Sequence, residues 1–136
     1  MNIIGIDVSQ GESHATLITK EAEEIAFKFK HNKSGFQILN SYIKLGTIII
    51  FETTGVYSAQ LTTYLKNKKV KFYELNPLEA KLRMASLRRN KTDKNDSFKL
   101  ALLGKTQLAE IKNHCNKQSN SLYESLRILS LRYKQL

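Results

Sequence analysis

The sequence is poor in residues that cross-link, punctuate or span. Its 136 residues hold one cysteine, one proline and six glycines. A lone cysteine, Cys115, excludes an intramolecular disulfide framework and a multi-cysteine metal site. It lies in the polar stretch Asn113-His114-Cys115-Asn116-Lys117, where an incidental surface position is expected. Long apolar runs are also missing. Even a run such as Ile48 to Phe51 falls far short of the ~20 residues that cross a bilayer. Met1 leads straight into a strand-like run without the pattern of a secretory leader, so a cytoplasmic protein with no membrane contact is expected. Acid is scarce too: 12 Asp and Glu stand against 22 Lys and Arg, a formal charge of +10. That excess favours polyanionic partners, nucleic acid foremost, although a lysine-rich composition alone also produces it.

What is present reads as one α/β domain. Asn2 to Val8 is an isoleucine-rich run expected to form a buried first strand. Glu12 to Thr19 and Glu24 to Lys30 follow as strands across short polar linkers, which predicts an antiparallel meander. Helical spacing then runs from Ser34 to about Leu45, and Gly46 is a stop. Thr47 to Glu52 has the character of a buried strand, followed by a helix from Ser58 to about Lys68 and a strand over Val70 to Leu75. Asn76-Pro77-Leu78-Glu79 is a helix start, with an Asn cap, Pro in the first position and Glu in the third. Ser97 to Gln107 is helical again. The order predicts a mixed five-stranded sheet flanked by helices, its first, fourth and fifth strands parallel.

The end of the chain differs. Leu122, Leu126, Leu129, Tyr133 and Leu136 recur at spacings of four and three, as in a heptad seam. Residues 1–112 are therefore expected to form the domain and 113–136 the start of a helical or coiled-coil extension, through which homo-oligomers would form. The seam ends on Leu136 without a helix stop, so the chain is expected to be truncated within a longer helix.

Four acids carry the chemistry. Strand alternation places Ile3, Gly5 and Asp7 on one face, and Ile48, Ile50 and Glu52 on one face of the fourth strand. Each face ends in an acid at the strand's C-terminal end, where open α/β sheets bind ligands. Asp93 and Asp96 are three residues apart at a helix start, on the row continued by Leu100 and Leu103, so both are expected to point toward the protein. Taken alone, Asp93 serves as well as a helix cap and Asp96 as a complement to the helix dipole. Taken together, four clustered carboxylates repel, and a hard divalent cation such as Mg²⁺ or Mn²⁺ relieves that repulsion. Two such ions roughly 3.5–4 Å apart serve phosphodiester chemistry. Arg83, Arg88, Arg89, Lys91 and Lys94 approach and flank the aspartate pair as candidate phosphate contacts. Thr53, Thr54 and Gly55 offer amides at a helix start, with Thr54 the candidate nucleic-acid contact.

Gly5-Ile6-Asp7-Val8-Ser9, Phe51-Glu52-Thr53-Thr54-Gly55-Val56-Tyr57, Leu75-Asn76-Pro77 and Lys91-Thr92-Asp93-Lys94-Asn95-Asp96 resemble the N-terminal domain of the DEDD transposases of the "one-ten" insertion-sequence family, relatives of the Piv-type DNA invertases. The resemblance implies a RuvC-like, ribonuclease H-like fold and places Asp7, Glu52, Asp93 and Asp96 on the family's metal-binding tetrad. It also implies DNA cleavage and strand transfer guided by a bridge RNA, with a second domain bearing a nucleophilic serine to which nothing in these residues corresponds. Ser97 stands where the family commonly has Ala. Three rival functions remain. One is a stand-alone Holliday-junction resolvase. Another is a non-catalytic nucleic-acid-binding module. The third is an actin-like ATPase lobe, whose first phosphate loop Gly5-Ile6-Asp7-Val8-Ser9 also resembles, although six glycines and this length suit that fold poorly.

Overall fold

The computed structural model describes residues 1–85 and 96–113. Five strands form one sheet: β1 (Ile3–Val8), β2 (Glu12–Ile18), β3 (Glu24–Lys30), β4 (Ile48–Glu52) and β5 (Lys71–Leu75), in the order β3-β2-β1-β4-β5. β1 to β3 make the expected antiparallel meander, and β1, β4 and β5 run parallel. Helices α1 (Lys33–Tyr42), α2 (Val56–Asn67), α3 (Pro77–Ala85) and α4 (Asp96–Thr106) complete it, with a further helical turn at 108–113.

The isoleucine runs have a direct cause. β1 and β4 are interior strands covered on both faces, so both alternating sets of side chains are apolar. Ile4, Ile6, Ile49 and Phe51 meet Leu39 of α1 and Leu61 and Leu65 of α2. Ile3, Ile48 and Ile50 meet Ala80 of α3 and Phe98, Leu100, Ala101 and Leu103 of α4. β2 is buried on both faces from Ala15 to Ile18, whereas β3 is a largely exposed edge whose Phe27 stacks on Tyr42 with centroids 3.9 Å apart.

The helix starts follow their capping residues. The Asn32 side chain accepts from the Gly35 amide at 2.8 Å, so α1 begins one residue before the expected Ser34. Asn76 does the same for Glu79 at 2.8 Å, with Pro77 in the first helical position. The expected seam over Leu122 to Leu136 lies outside the described residues, as does Cys115. Among the described residues, no helix is long and apolar enough to cross a membrane.

Candidate metal centre

Asp7 and Glu52 end adjacent parallel strands on one face of the sheet. The β1–β4 register pairs Gly5 with Ile50 and Ile6 with Phe51, and Asp7 and Glu52 are the next residue in each strand. Both are half-buried at the C-terminal ends of their strands. Across the antiparallel pair, Asp7 faces His14 of β2. This neighbour was not anticipated from sequence. The signal was available, since a tight β1–β2 connection sets the register that puts residue 14 opposite residue 7.

α4 brings the third acid to this edge, and two glycines permit its approach. A Cβ on Gly5 would lie 2.2 Å from the Ser97 carbonyl oxygen and 2.3 Å from the Ala101 nitrogen. One on Gly104 would lie 2.6 Å from Ile3 Cγ2. The helix therefore rests directly on the strand that carries Asp7. A buried hydrogen bond of 2.8 Å between the Thr16 and Ser97 hydroxyls fixes its N-terminal end beside β2.

Leu100 and Leu103 are buried against the sheet, as expected. The expectation that Asp96 points into the protein fails, because its side chain is 61% exposed and stands 4.0 Å from Lys99 Nζ. The reason lies in helix phase. Ser97, Ala101 and Gly104 form the row nearest the sheet, so Asp96 falls one position outside it, at the open rim. Asp93 lies outside the described residues, together with Arg88, Arg89, Lys91 and Lys94.

The three described acids still act on one another. The pKa of Asp7 is raised, first by burial and then by the charge of Asp96, with His14 pulling it down. That of Glu52 is raised by burial, then by Asp96 and by Asp7. Among the described residues, no three His, Cys, Asp or Glu side chains close into a ready-made ligand set. What stands at the edge is an open cluster of carboxylates sharing one field.

The loop after β4 is tied down from below. Glu74 of β5 accepts from the Thr53 hydroxyl and from Thr62 of α2, each at 2.9 Å. The Thr53 amide donates to the Leu75 carbonyl at 2.8 Å and the Thr54 amide to Ser58 Oγ at 3.3 Å. These amides are thus engaged by the protein itself. The buried Thr54 hydroxyl has no hydrogen-bond partner among the described residues. Glu74 was missed in the sequence because nothing local marks it: its partners lie 21 and 12 residues away.

Arg83 is also engaged within the protein. It pairs with Glu79 at 2.5 Å, donates to the Gln107 side chain at 3.0 Å, and approaches Glu110 at 3.6 Å. Its side chain is 17% exposed, so it links α3 to the segment after α4.

A family model of DEDD transposases of the IS110 type, described as a transposase, matches residues 4–136. No curated protein matches the chain.

Proposed function

Because the chain belongs to the IS110-type DEDD transposase family, we propose that it supplies the metal-binding half of a centre for DNA strand cleavage and transfer. In this reading Asp7 is the central ligand, and Glu52, Asp93 and Asp96 complete the set around one or two Mg²⁺ or Mn²⁺ ions. The observation that carries it is the shared field at the sheet edge: Asp96 raises the pKa of both Asp7 and Glu52, and Asp7 raises that of Glu52. Nothing in the packing needs these charges so close, and like charges at a half-buried edge are a standing cost. The donors are all oxygen, which suits a hard divalent ion rather than a soft one. Bound there, such ions would activate the attacking oxygen of a phosphodiester exchange and stabilise the leaving one.

The protein's own groups have separable tasks in the proposal. Asp7 and Glu52 are held by rigid strands, and Asp96 arrives on a helix anchored by Ser97. The half-exposed rim leaves room for a DNA strand. Arg88, Arg89, Lys91 and Lys94 hold its phosphates, since Arg83 is engaged elsewhere. The Thr54 hydroxyl, being buried, is not among these contacts. The strand order β3-β2-β1-β4-β5, with a meander on one side and parallel strands on the other, supports a ribonuclease H-like assignment. A bridge RNA, a serine-bearing partner domain and self-association through Leu122 to Leu136 complete the proposal by family resemblance.

Metal-induced stabilisation tests the reading without requiring activity. An ion that binds the folded chain at 100 times its Kd adds about 2.7 kcal/mol. Mg²⁺ or Mn²⁺ is expected to raise the melting temperature of the wild type and to leave those of Asp7→Asn and Glu52→Gln unmoved. Equal shifts in all three proteins would exclude these acids as ligands.

A further inference from the structure

Lysines gather at the end of the β4–β5 pair opposite Asp7 and Glu52, whereas the acids at that end of the sheet, Glu21, Glu23 and Glu24, lie on the β2–β3 side. The end of α2, the connection after it and the start of β5 carry Lys66, Lys68, Lys69 and Lys71, all exposed. Its backbone is fixed: the amides of Lys68, Lys69 and Val70 donate to the carbonyls of Tyr64, Lys66 and Leu65 at 3.0–3.1 Å. Lys71 is in register with Ile48. The turn just before Ile48 holds exposed Lys44, whose carbonyl accepts from the Thr47 amide and whose amide donates to Thr47 Oγ1, both at 3.0 Å. Five lysines thus share one end of the β4–β5 pair. The sequence from 53 to 73 contains no Asp or Glu. The flanking acids, Glu52 and Glu74, sit at the far ends of their strands. Among the described residues, none of the five ammonium groups is in a salt bridge.

Local effects account for single members of the group. Lys66 and Lys68 lie at the C-terminal end of α2, where the helix dipole favours cations. Lys71 on an edge strand discourages strand addition from another chain. Neither effect calls for five cations displayed together on one side of that end, and their mutual repulsion is relieved by a polyanion.

We propose that this lysine bend is a second nucleic-acid contact, gripping a phosphodiester backbone away from the acidic edge. The rise from Lys71 to Leu75 is about 13 Å at ~3.3 Å per residue, so a backbone held at the bend is not the one presented to the acids. Ammonium groups on flexible stems take phosphates as point charges and read no bases. The bend therefore anchors either flanking duplex DNA or a structured RNA, whatever their sequence. The inference takes from the family reading only that nucleic acid is the partner, and it holds with or without a metal site.

The test is binding of the full chain, in EDTA, to duplex DNA and separately to RNA, followed by fluorescence anisotropy. The bend variant K66Q/K68Q/K69Q/K71Q is compared with K28Q/K30Q/K33Q/K81Q, which removes equal charge from exposed lysines elsewhere. Two to four lost phosphate contacts should shrink the fall in affinity between about 50 and 200 mM salt by ~10- to 100-fold. Matching melting temperatures show that both variants are folded. Loss on duplex alone assigns the bend to DNA, loss on RNA alone assigns it to RNA, and loss on both assigns it to the shared backbone. Equal effects of the two variants, or none from the bend variant, overturn the proposal. Because no metal is present, either result is independent of the acids' role.

Discussion

Replacing Gly5 with alanine tests the link between the strand that carries Asp7 and the helix that carries Asp96. The added methyl would sit 2.2 Å from the Ser97 carbonyl oxygen, 2.3 Å from the Ala101 nitrogen and 3.0 Å from the Ala101 Cα. All three are backbone atoms, so no side chain can rotate away, and α4 must retreat by more than ~1 Å to restore ordinary contact. Overpacking of this kind costs about 1–3 kcal/mol, and rigid neighbours place it at the upper end. Retreat also stretches the 2.8 Å Thr16–Ser97 hydrogen bond, worth about 1 kcal/mol. The sum of ~3–4 kcal/mol is a large share of the roughly 7–20 kcal/mol expected for a chain this long. At ~3–5 °C per kcal/mol, the melting temperature should fall by ~10–20 °C.

Thermal unfolding followed by circular dichroism measures this, with Gly11→Ala as the control. Gly11 has φ +75° and nothing within 4 Å of the position its methyl would take, so its variant should lose only the ~1–2 kcal/mol of left-handed backbone strain. A Gly5→Ala protein that melts within a degree or two of wild type would refute the direct seating of α4 on β1. A fall in stability that leaves the metal-induced shift intact would show that α4 can move without disturbing the cluster.

Two further outcomes follow from the same edge. Because the folded chain holds protons on Asp7 and Glu52 more tightly than the unfolded chain does, their contribution to stability is complete below the ordinary values of 3.8 and 4.5 and is lost as pH rises through the raised ones. In EDTA, the Asp7→Asn/Glu52→Gln double variant should therefore gain stability over wild type as pH climbs above that range, and parallel pH profiles in denaturant titrations would contradict this. Glu74→Ala removes the acceptor shared by Thr53 and Thr62, at a cost of about 2–3 kcal/mol. Glu74→Gln, which keeps one acceptor oxygen, should recover part of the loss, and equal destabilisation by both would argue against the hydrogen bonds as the cause.

The sheet was legible because its signals are local. Isoleucine runs without alternation mark β1 and β4 as covered on both faces, whereas Ile25, Phe27 and Phe29 alternate because β3 is an edge. Asn76-Pro77 marks the start of α3, and the cap forms as anticipated. Asp7 and Glu52 were likewise readable, since each ends an apolar face. The remainder depends on distant partners. Arg83 looks like a phosphate contact in sequence because two of its partners, Gln107 and Glu110, are 24 and 27 residues away, although the third, Glu79, is one helical turn away and was readable. Glu74 becomes visible only when β5 and α2 bring its partners alongside. The exposure of Asp96 turns on helix phase, which the Leu100–Leu103 spacing alone does not fix when α4 is buried over a wide arc.

Gly5 and Asp7 also gain a common explanation. Strand alternation puts residues two apart on the same face, so the glycine that lets α4 approach β1 lies one step from Asp7. A larger residue at position 5 would hold α4 off the sheet and carry Asp96 away from Asp7 and Glu52, weakening the field they share. The glycine in Gly5-Ile6-Asp7 is thus a spacing device between β1 and α4 rather than a flexible joint, and Gly104 repeats the device one step down the same interface, against Ile3. Close seating requires small residues at both points, and the hydroxyl pair Thr16–Ser97 sets the rotation of the helix between them. Ser97 keeps the small volume that seating needs and adds a buried bond to β2. Ser97→Ala should therefore preserve the metal-induced shift while lowering the melting temperature by the few degrees that ~1 kcal/mol represents in a chain of this length. Loss of the metal shift in that variant would mean that the hydroxyl, rather than the small side chain, positions Asp96.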